Sequence, residues 1–329
     1  MLWRRVAIGA GAILALLLLV LAGGYVWLDT RSGKDFVARQ VAALVLENGL
    51  NIRIGRIEGS IYGDTLLKDV RFRDPKGDFA RSPEIRLDWN PFGYVRSRVD
   101  IDTLTAKRLD VLRMPAFRIV PDRGEPLLPD LDISIDLLKI DRIVFDKAIT
   151  GEEQVASLEG KVRIADRRAV VNATGGTMLG DRMVLKLDAV PDDNRFDVDL
   201  KIDAPADGLV AGLMGKNAPV KAVLNGRGSW QKWDGALTAQ LGSEDVADLV
   251  LTARDGTFTA KGIAAPAKIM ADSLIMRALS PVANVDMAAT FEDRVANING
   301  SVRSAAIVMG ASGIADLGEG RFNDLALDI

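Results

Sequence analysis

The chain has 329 residues, a formal net charge of −3 and neither histidine nor cysteine. Without imidazole, Ser-His-Asp triads and histidine-ligated zinc sites are excluded, and without thiols so are disulfides and thiol catalysis. The 42 basic residues are interspersed with 45 acidic ones, and this balance predicts no binding to nucleic acid.

The first predicted element is a membrane-spanning helix over residues 6–28, a stretch without any charged residue that ends before Asp29. At about 1.5 Å per residue this helix would measure roughly 35 Å, enough to cross a hydrocarbon core of about 30 Å. A cleaved signal peptide is the alternative, because the small residues Ala22 and Gly23 could form a cleavage site. The apolar run continues past that point, which favours an uncleaved anchor.

Two arginines, Arg4 and Arg5, determine the predicted orientation of this helix. The positive-inside rule places residues 1–5 in the cytoplasm and the chain after the helix on the other side of the membrane. Tyr25 and Trp27 lie where interfacial aromatic side chains are expected. The protein is therefore predicted to cross the membrane once, with its bulk outside the cytoplasm.

Residues 29–49 are predicted to contain an amphipathic helix, which extends over residues 32–48. Thr30 or Ser32 can cap its start, and Gly49 suits its end. The apolar residues at the spacing of one helical face are Val37, Val41, Leu44 and Val45. This face either lies on the membrane surface or, as we favour, covers the open end of the β structure that follows.

Residues 50–329 alternate between apolar and polar with a period of two, which is typical of strands that have one apolar face. Segments 205–215 and 266–279 interrupt this alternation, and each begins with proline and has helical character. The sequence therefore predicts a mainly β domain, built as one long amphipathic antiparallel sheet with short helical inserts. Turn signals that favour a meander occur at residues 74–77, 90–91, 191–194, 225–226 and 255–256.

The apolar face of the predicted sheet is mostly aliphatic, and aromatic residues make up only 5% of the chain. Such a face suits a smooth hydrophobic trough better than the core between two facing sheets. A register slip of one residue would exchange the two faces of any one strand. The residues predicted to line the trough are Ile133, Ile135, Leu137, Val162, Ile164, Leu185, Leu187, Phe196, Val198, Leu200 and Ile202.

Polar residues do not form a recognisable catalytic pattern. Carboxylates such as Asp197 and Asp199 alternate along strands, as expected for a solvated face rather than for an acid and base pair. Trp230 and Trp233 flank Lys232, an arrangement that either contacts a carbohydrate or lipid headgroup or, as we favour, pins a turn. The sequence thus predicts no enzymatic activity, no cofactor and no metal site.

Three sequence segments carry a resemblance to a known family. They are IGRIEGSIYG at residues 54–63, LKDVRFRDPKG at residues 67–77 and IRLDWNP at residues 85–91. Together with the preceding anchor and helix, they are similar to the amino-terminal region of the TamB family. TamB proteins are subunits of the translocation and assembly module, within the AsmA-like group of bridge-like lipid transfer proteins. The resemblance is specific over about the first 115 residues and looser thereafter.

This resemblance implies a U-shaped hydrophobic β groove, or β-taco, that is anchored in the inner membrane and reaches through the periplasm. Its implied ligand is phospholipid, moving toward the outer membrane. Its implied partner is an Omp85-type outer-membrane barrel, similar to TamA or BamA, contacted through a carboxy-terminal region absent here. The groove domain, residues 50–329, is accordingly expected to continue beyond this sequence.

Two alternatives to a lipid path stay open at this point. The family's second attributed role predicts a scaffold for outer-membrane protein assembly or autotransporter secretion, on which client strands add to exposed strand edges. A membrane-tethered binding domain would instead be a closed β-sandwich without a groove.

Overall fold

The computed structural model describes residues 24–118, 131–190, 193–269, 277–292, 295–316 and 321–328. Most of the predicted anchor at residues 6–28 lies outside this range, as do Arg4 and Arg5. In the described part of the chain, no helix combines the length and the apolar character needed to cross a membrane.

The described residues contain nineteen strands, and all of them belong to a single hydrogen-bonded sheet. The first nine are β1 Asn51–Arg53, β2 Arg56–Gly59, β3 Asp64–Asp74, β4 Gly77–Asn90, β5 Arg98–Ala106, β6 Leu109–Val111, β7 Asp132–Phe145, β8 Gln154–Ala165 and β9 Arg168–Thr177. The others are β10 Arg182–Val190, β11 Arg195–Ala204, β12 Val220–Ser229, β13 Lys232–Leu241, β14 Glu244–Arg254, β15 Thr257–Ala264, β16 Ala283–Glu292, β17 Val295–Arg303, β18 Val308–Asp316 and β19 Arg321–Asp328. The prediction of a mainly β fold with one long sheet is confirmed.

The strands follow one another through the sheet almost in chain order. β1 and β2 both pair with β3, and β5 and β6 both lie between β4 and β7. From β7 to β19 each strand pairs antiparallel with the next. The predicted meander differs in one place, because β5 and β6 run parallel to β7. At a spacing of about 4.8 Å, seventeen strand positions extend roughly 80 Å.

Helix α1, Arg31–Ala43, covers the edge strands β1 and β2. Thr30 accepts a hydrogen bond from the Gly33 amide and caps the start of the helix, as predicted. The helix is shorter than predicted because the Asn51 side chain donates to the carbonyls of Ala42 and Leu44 and ends it there. Leu44 is consequently exposed rather than part of the buried face, and so are Val45 and Leu46.

Three further short helices lie at one rim of the sheet, at every fourth strand. They are α2, Lys147–Thr150, after β7; α3, Leu209–Leu213, after β11; and α4, Pro266–Ile269, after β15. The last two lie within the predicted inserts. Because β7, β11 and β15 run in the same direction, their ends share this rim, which we call the helical rim.

The turns at residues 74–77 and 255–256 were predicted correctly, whereas the predicted turn at residues 225–226 was wrong. Asn225 and Gly226 lie within β12 and pair with Ala236 and Gly235 of β13. Gly226 is required there because the indole of Trp233 lies against it; a Cβ at this position would be 1.9 Å from the ring.

A buried ion pair attaches the segment after β6 to the turn between β3 and β4. The Asp74 carboxylate has no solvent-accessible side-chain surface, and Arg113 donates to both of its oxygens, at 2.6 and 2.7 Å. The amides of Lys76 and Ala116 donate to the same carboxylate. These donors hold the pKa of Asp74 well below its usual range, with Arg113 as the largest cause.

This pKa predicts a pH dependence of stability. A carboxylate with a lowered folded-state pKa stabilises the fold fully above its unfolded pKa of about 3.9, and the contribution is lost as the pH falls further. We expect Asp74→Asn to lower the urea midpoint most at pH 7, and we expect the gap to the wild type to narrow below about pH 4. A gap that stays constant from pH 7 to pH 3 would contradict this assignment.

Candidate functional site

One face of the sheet is apolar across nearly all of its strands. Register partners in neighbouring strands lie side by side on the same face, so rows of side chains can be followed from strand to strand. The Leu200 row runs from β4 to β18 without a polar side chain. Its members are Leu87, Leu104, Leu138, Gly160, Ala173, Leu185, Leu200, Leu224, Leu237, Leu249, Gly262, Val285, Val302 and Met309.

Two parallel rows flank the Leu200 row, and neither contains a charged side chain. The Val198 row consists of Trp89, Ile101, Ile135, Val162, Val171, Leu187, Val198, Gly226, Gly235, Leu251, Ala260, Met287 and Gly300. The Ile202 row consists of Leu67, Ile85, Ala106, Ile140, Leu158, Gly175, Met183, Ile202, Ala222, Ala239, Ala247, Ala264 and Ala283. We call the three rows together the apolar face.

The apolar face is partly buried, so it is intermediate between a hydrophobic core and an exposed surface. All leucines of the Leu200 row are half-buried. Among the described residues, clusters of fully buried apolar side chains are small and are centred on Ala211, Trp233 and Leu279. Burial of apolar surface is worth about 25 cal/mol per Å². A ligand with long apolar chains would therefore gain free energy by covering this face.

Ten of the eleven residues predicted to line a trough share this side of the sheet. Ile135, Val162, Leu187 and Val198 belong to the Val198 row, Leu185 and Leu200 to the Leu200 row, and Ile202 to the Ile202 row. Ile133 pairs with Ile164, one alternation beyond Ile135 and Val162, and Phe196 pairs with Ala189 beyond Leu187. All ten are half-buried. Whether lipid contacts them stays a prediction.

Leu137 is the exception, because the strict alternation along β7 is interrupted. The register shifts between Ile135 and Leu138, so that Leu138 pairs with Gly160 and takes the place predicted for Leu137. Leu137 instead borders a surface depression with Glu159 and Lys161, on the polar side of the sheet. A one-residue bulge thus corrects the predicted lining at this position.

The apolar face ends on one side at a group of aromatic residues, Phe196, Trp230, Trp233 and Phe258, which we call the aromatic rim. Trp233 is 1% exposed. Its indole covers Gly226 and Gly235, and its Nε1 donates to the Phe196 carbonyl at 2.9 Å. Trp230, by contrast, is 37% exposed. That the two tryptophans pin a turn stays a prediction.

The rings of the aromatic rim converge from strands that are not neighbours. Phe196 of β11 and Phe258 of β15 both lie against Trp233, with ring centroids 5.0 and 6.1 Å from the indole. Four strand spacings in a flat sheet would separate their backbones by roughly 19 Å. The side chains therefore lean together over the apolar face.

Helix α3 covers the opposite side of the apolar face, at the helical rim. Ala211 is completely buried and packs against Ala204 and Val220, the last apolar residues of β11 and the first of β12. The buried carboxylate of Asp181 accepts hydrogen bonds from the amides of Leu209 and Val210 at 2.9 and 3.1 Å. The start of α3 is thereby attached to the turn before β10.

The other face of the sheet carries charged residues that pair across strands. Lys261 contacts its register partner Asp286 at 3.1 Å, and Arg168 donates to Asp188. Arg168 lowers the pKa of Asp188, as expected for an ion pair of opposite charges. This face is solvated, as the sequence predicted.

Exposed aromatic residues gather where the chain leaves the predicted anchor. Tyr25 stacks on Tyr62, with ring centroids 4.0 Å apart, and Phe92 lies about 6 Å from both rings. Trp27 packs against Phe36. Tyr25 and Trp27 are each 45% exposed, and their predicted position at a membrane interface stays a prediction.

Within the described ranges, no group of three or more acidic residues is arranged to hold a metal ion. Comparisons with protein-family models, with curated proteins and with solved structures found no match to this chain.

Three features of the site were not predicted from the sequence. They are the packing of Trp233 on two glycines, the attachment of α3 through Asp181, and the continuity of the rows through bulges in β5 and β7. For the packing of Trp233, the available sequence signal was the presence of glycines a few positions from this bulky aromatic residue.

Proposed function

We propose that the apolar face forms a hydrophobic trough that conducts phospholipid away from the membrane that residues 6–28 are predicted to cross. In this proposal the protein is the membrane-proximal part of a TamB-like bridge toward the outer membrane. No chemical step is involved, so the trough needs no catalytic residue or cofactor.

The observation that carries the proposal is the Leu200 row, which passes through fourteen strand positions from β4 to β18 without a polar side chain. Its half-buried leucines leave apolar surface that a ligand can cover. The leaning of Phe196 and Phe258 toward Trp233, together with α3 at the opposite rim, supports a concave trough that is bounded on both sides.

The chemistry of the lining also suits movement of lipid. Each acyl CH₂ transferred from water to an apolar surface gains about 0.8 kcal/mol, so two acyl chains would be retained strongly. The Leu200 row repeats the same small set of aliphatic residues and offers no specific stopping place. A lipid could therefore slide along it with little change in free energy.

The test places a photo-crosslinking amino acid at Leu200, on the apolar face, or at Asp199, the next residue of the same strand on the polar face. Cells that express the full chain are irradiated, and the purified protein is analysed for phospholipid adducts by mass spectrometry. We expect adducts at Leu200 and at least tenfold fewer at Asp199.

A different result would favour the protein-assembly scaffold. Crosslinks from Leu200 to nascent outer-membrane proteins, without phospholipid adducts, would overturn the lipid path. The closed β-sandwich has less support, because a sandwich consists of two sheets and the described strands form one.

A further inference from the structure

The apolar face continues into a cavity beneath helix α3. This cavity has a volume of about 200 Å³ and is lined mainly by apolar side chains, among them Ile143, Phe145, Leu158, Met183 and Val210. Leu158, Gly175 and Met183 also belong to the Ile202 row, so the cavity and the apolar face are continuous. We propose that the cavity beneath α3 is a binding site for the terminal segment of one acyl chain, resting on the proposed function above.

The lining accounts for the class of ligand. Asp181 is the one acidic residue at the cavity wall, and its carboxylate already accepts hydrogen bonds from Thr177 and from the amides of Leu209 and Val210. No polar headgroup is therefore needed to satisfy it. Arg182, the basic residue at the wall, is exposed. A saturated hydrocarbon matches the remaining surface.

The volume accounts for the length of the segment. An apolar protein cavity of about 150 Å³ stays dry and binds a molecule the size of benzene. A cavity of about 200 Å³ therefore holds a few methylene groups, not a whole acyl chain. The rest of the lipid would lie along the Ile202 and Leu200 rows.

Helix α3 forms the roof of this site, and Asp181 attaches it. Gly208 lets the helix start approach the carboxylate, since a Cβ there would be 2.6 Å from both Asp181 oxygens. The opposite side of the helix is held by the buried Ala211. A short helix thus covers one side of the site, which stays open toward the apolar face.

The experiment uses the full chain in vesicles of phosphatidylethanolamine and phosphatidylglycerol. A fraction of the phosphatidylethanolamine carries a diazirine at the end of one acyl chain. After irradiation, mass spectrometry locates the labelled residues. We expect labelling of Leu158 and Met183 by this lipid, and at least tenfold less labelling there by a lipid with the diazirine in its headgroup.

Two variants of the same strand provide the matched comparison. Ala156→Phe fills the cavity, whereas Glu159→Phe adds the same ring on the opposite face of β8, at an exposed residue that does not line the cavity. We expect Ala156→Phe to reduce labelling at Met183 at least tenfold and Glu159→Phe to leave it unchanged. Labelling of the Leu200 row in each variant shows that the sheet has folded. If Ala156→Phe abolishes the labelling of the Leu200 row too, Gly175→Ala is used in its place. Its Cβ would lie 3.3 Å from the Ser157 carbonyl oxygen and 3.5 Å from Met183 Cε at the cavity wall.

The outcomes separate this inference from the proposed function. Labelling of the Leu200 row without labelling of Leu158 or Met183 would overturn the acyl-chain site and leave the lipid path intact. The absence of labelling along the whole apolar face would overturn both. Equal labelling of the cavity in Ala156→Phe and in the wild type would also contradict the site.

Discussion

Trp233→Ala is expected to lower the free energy of unfolding by about 3–5 kcal/mol, the usual cost of removing a large buried aromatic side chain. Trp233 is 1% exposed and is stacked on Phe196, with Phe258 close by. Its removal leaves a cavity above two glycines that cannot fill it. It also leaves the Phe196 carbonyl without its indole donor. Urea unfolding of the full chain in detergent micelles, followed by far-ultraviolet circular dichroism, measures this change.

Trp230→Ala serves as the matched control for this variant. Trp230 contacts the same phenylalanines but is 37% exposed, so less apolar surface is lost on truncation. We expect Trp230→Ala to lower the free energy of unfolding by less than half as much as Trp233→Ala does. Equal losses in the free energy of unfolding for the two variants would contradict the buried packing of Trp233 on the two glycines.

A double-mutant cycle with Gly226 tests the contact between this glycine and the Trp233 indole. In the wild type, a Cβ at position 226 would be 1.9 Å from the Trp233 ring, so Gly226→Ala is expected to cost about 1–3 kcal/mol from overpacking. In the Trp233→Ala background the same methyl group enters empty space, and its cost should be close to zero. An interaction energy below about 0.5 kcal/mol would show that the indole does not lie on Gly226.

Leu200→Lys is expected to interrupt the lipid path. The substitution places an ammonium group between Leu185 and Leu224, in the middle of the Leu200 row. An unpaired charge retains its hydration in preference to an apolar contact, so acyl chains would no longer cover this position. We expect labelling of the apolar face by the diazirine lipid to fall at least tenfold beyond β11.

Asp199→Asn is the control for Leu200→Lys, because it changes the net charge by the same amount on the opposite face of the same strand. We expect lipid labelling in this variant to match the wild type. Since a half-buried leucine is lost, Leu200→Lys should also destabilise the chain by about 1–3 kcal/mol, which unfolding measurements can separate from the loss of labelling. Unchanged labelling in a folded Leu200→Lys protein would rule out lipid passage along this row.

The sheet could be predicted from local patterns because an apolar face leaves a period of two in every strand. The same local pattern is misleading at Leu137, where a bulge in β7 shifts the alternation by one residue. The local signal at Gly226 is misleading for a different reason. Asn-Gly is a strong local signal for a turn, but Trp233 of the next strand requires a glycine within β12. The predicted end of α1 was also wrong, because the helix is capped by Asn51, which lies eight residues beyond it.

The sequence by itself determined the mainly β class, the apolar and polar sides of most strands, and the absence of histidine and cysteine chemistry. These are properties of composition and of side-chain alternation, which do not depend on the neighbours of a strand. The tertiary structure alone decided the order of the strands, including the parallel pairing of β5 and β6 with β7. It also decided the alignment of residues without polar side chains from fourteen strand positions, eight of them leucines, into one row. It also decided the placement of Trp233 on two glycines and the attachment of α3 to Asp181. Each of these depends on register between segments far apart in the chain, and no local pattern specifies that register.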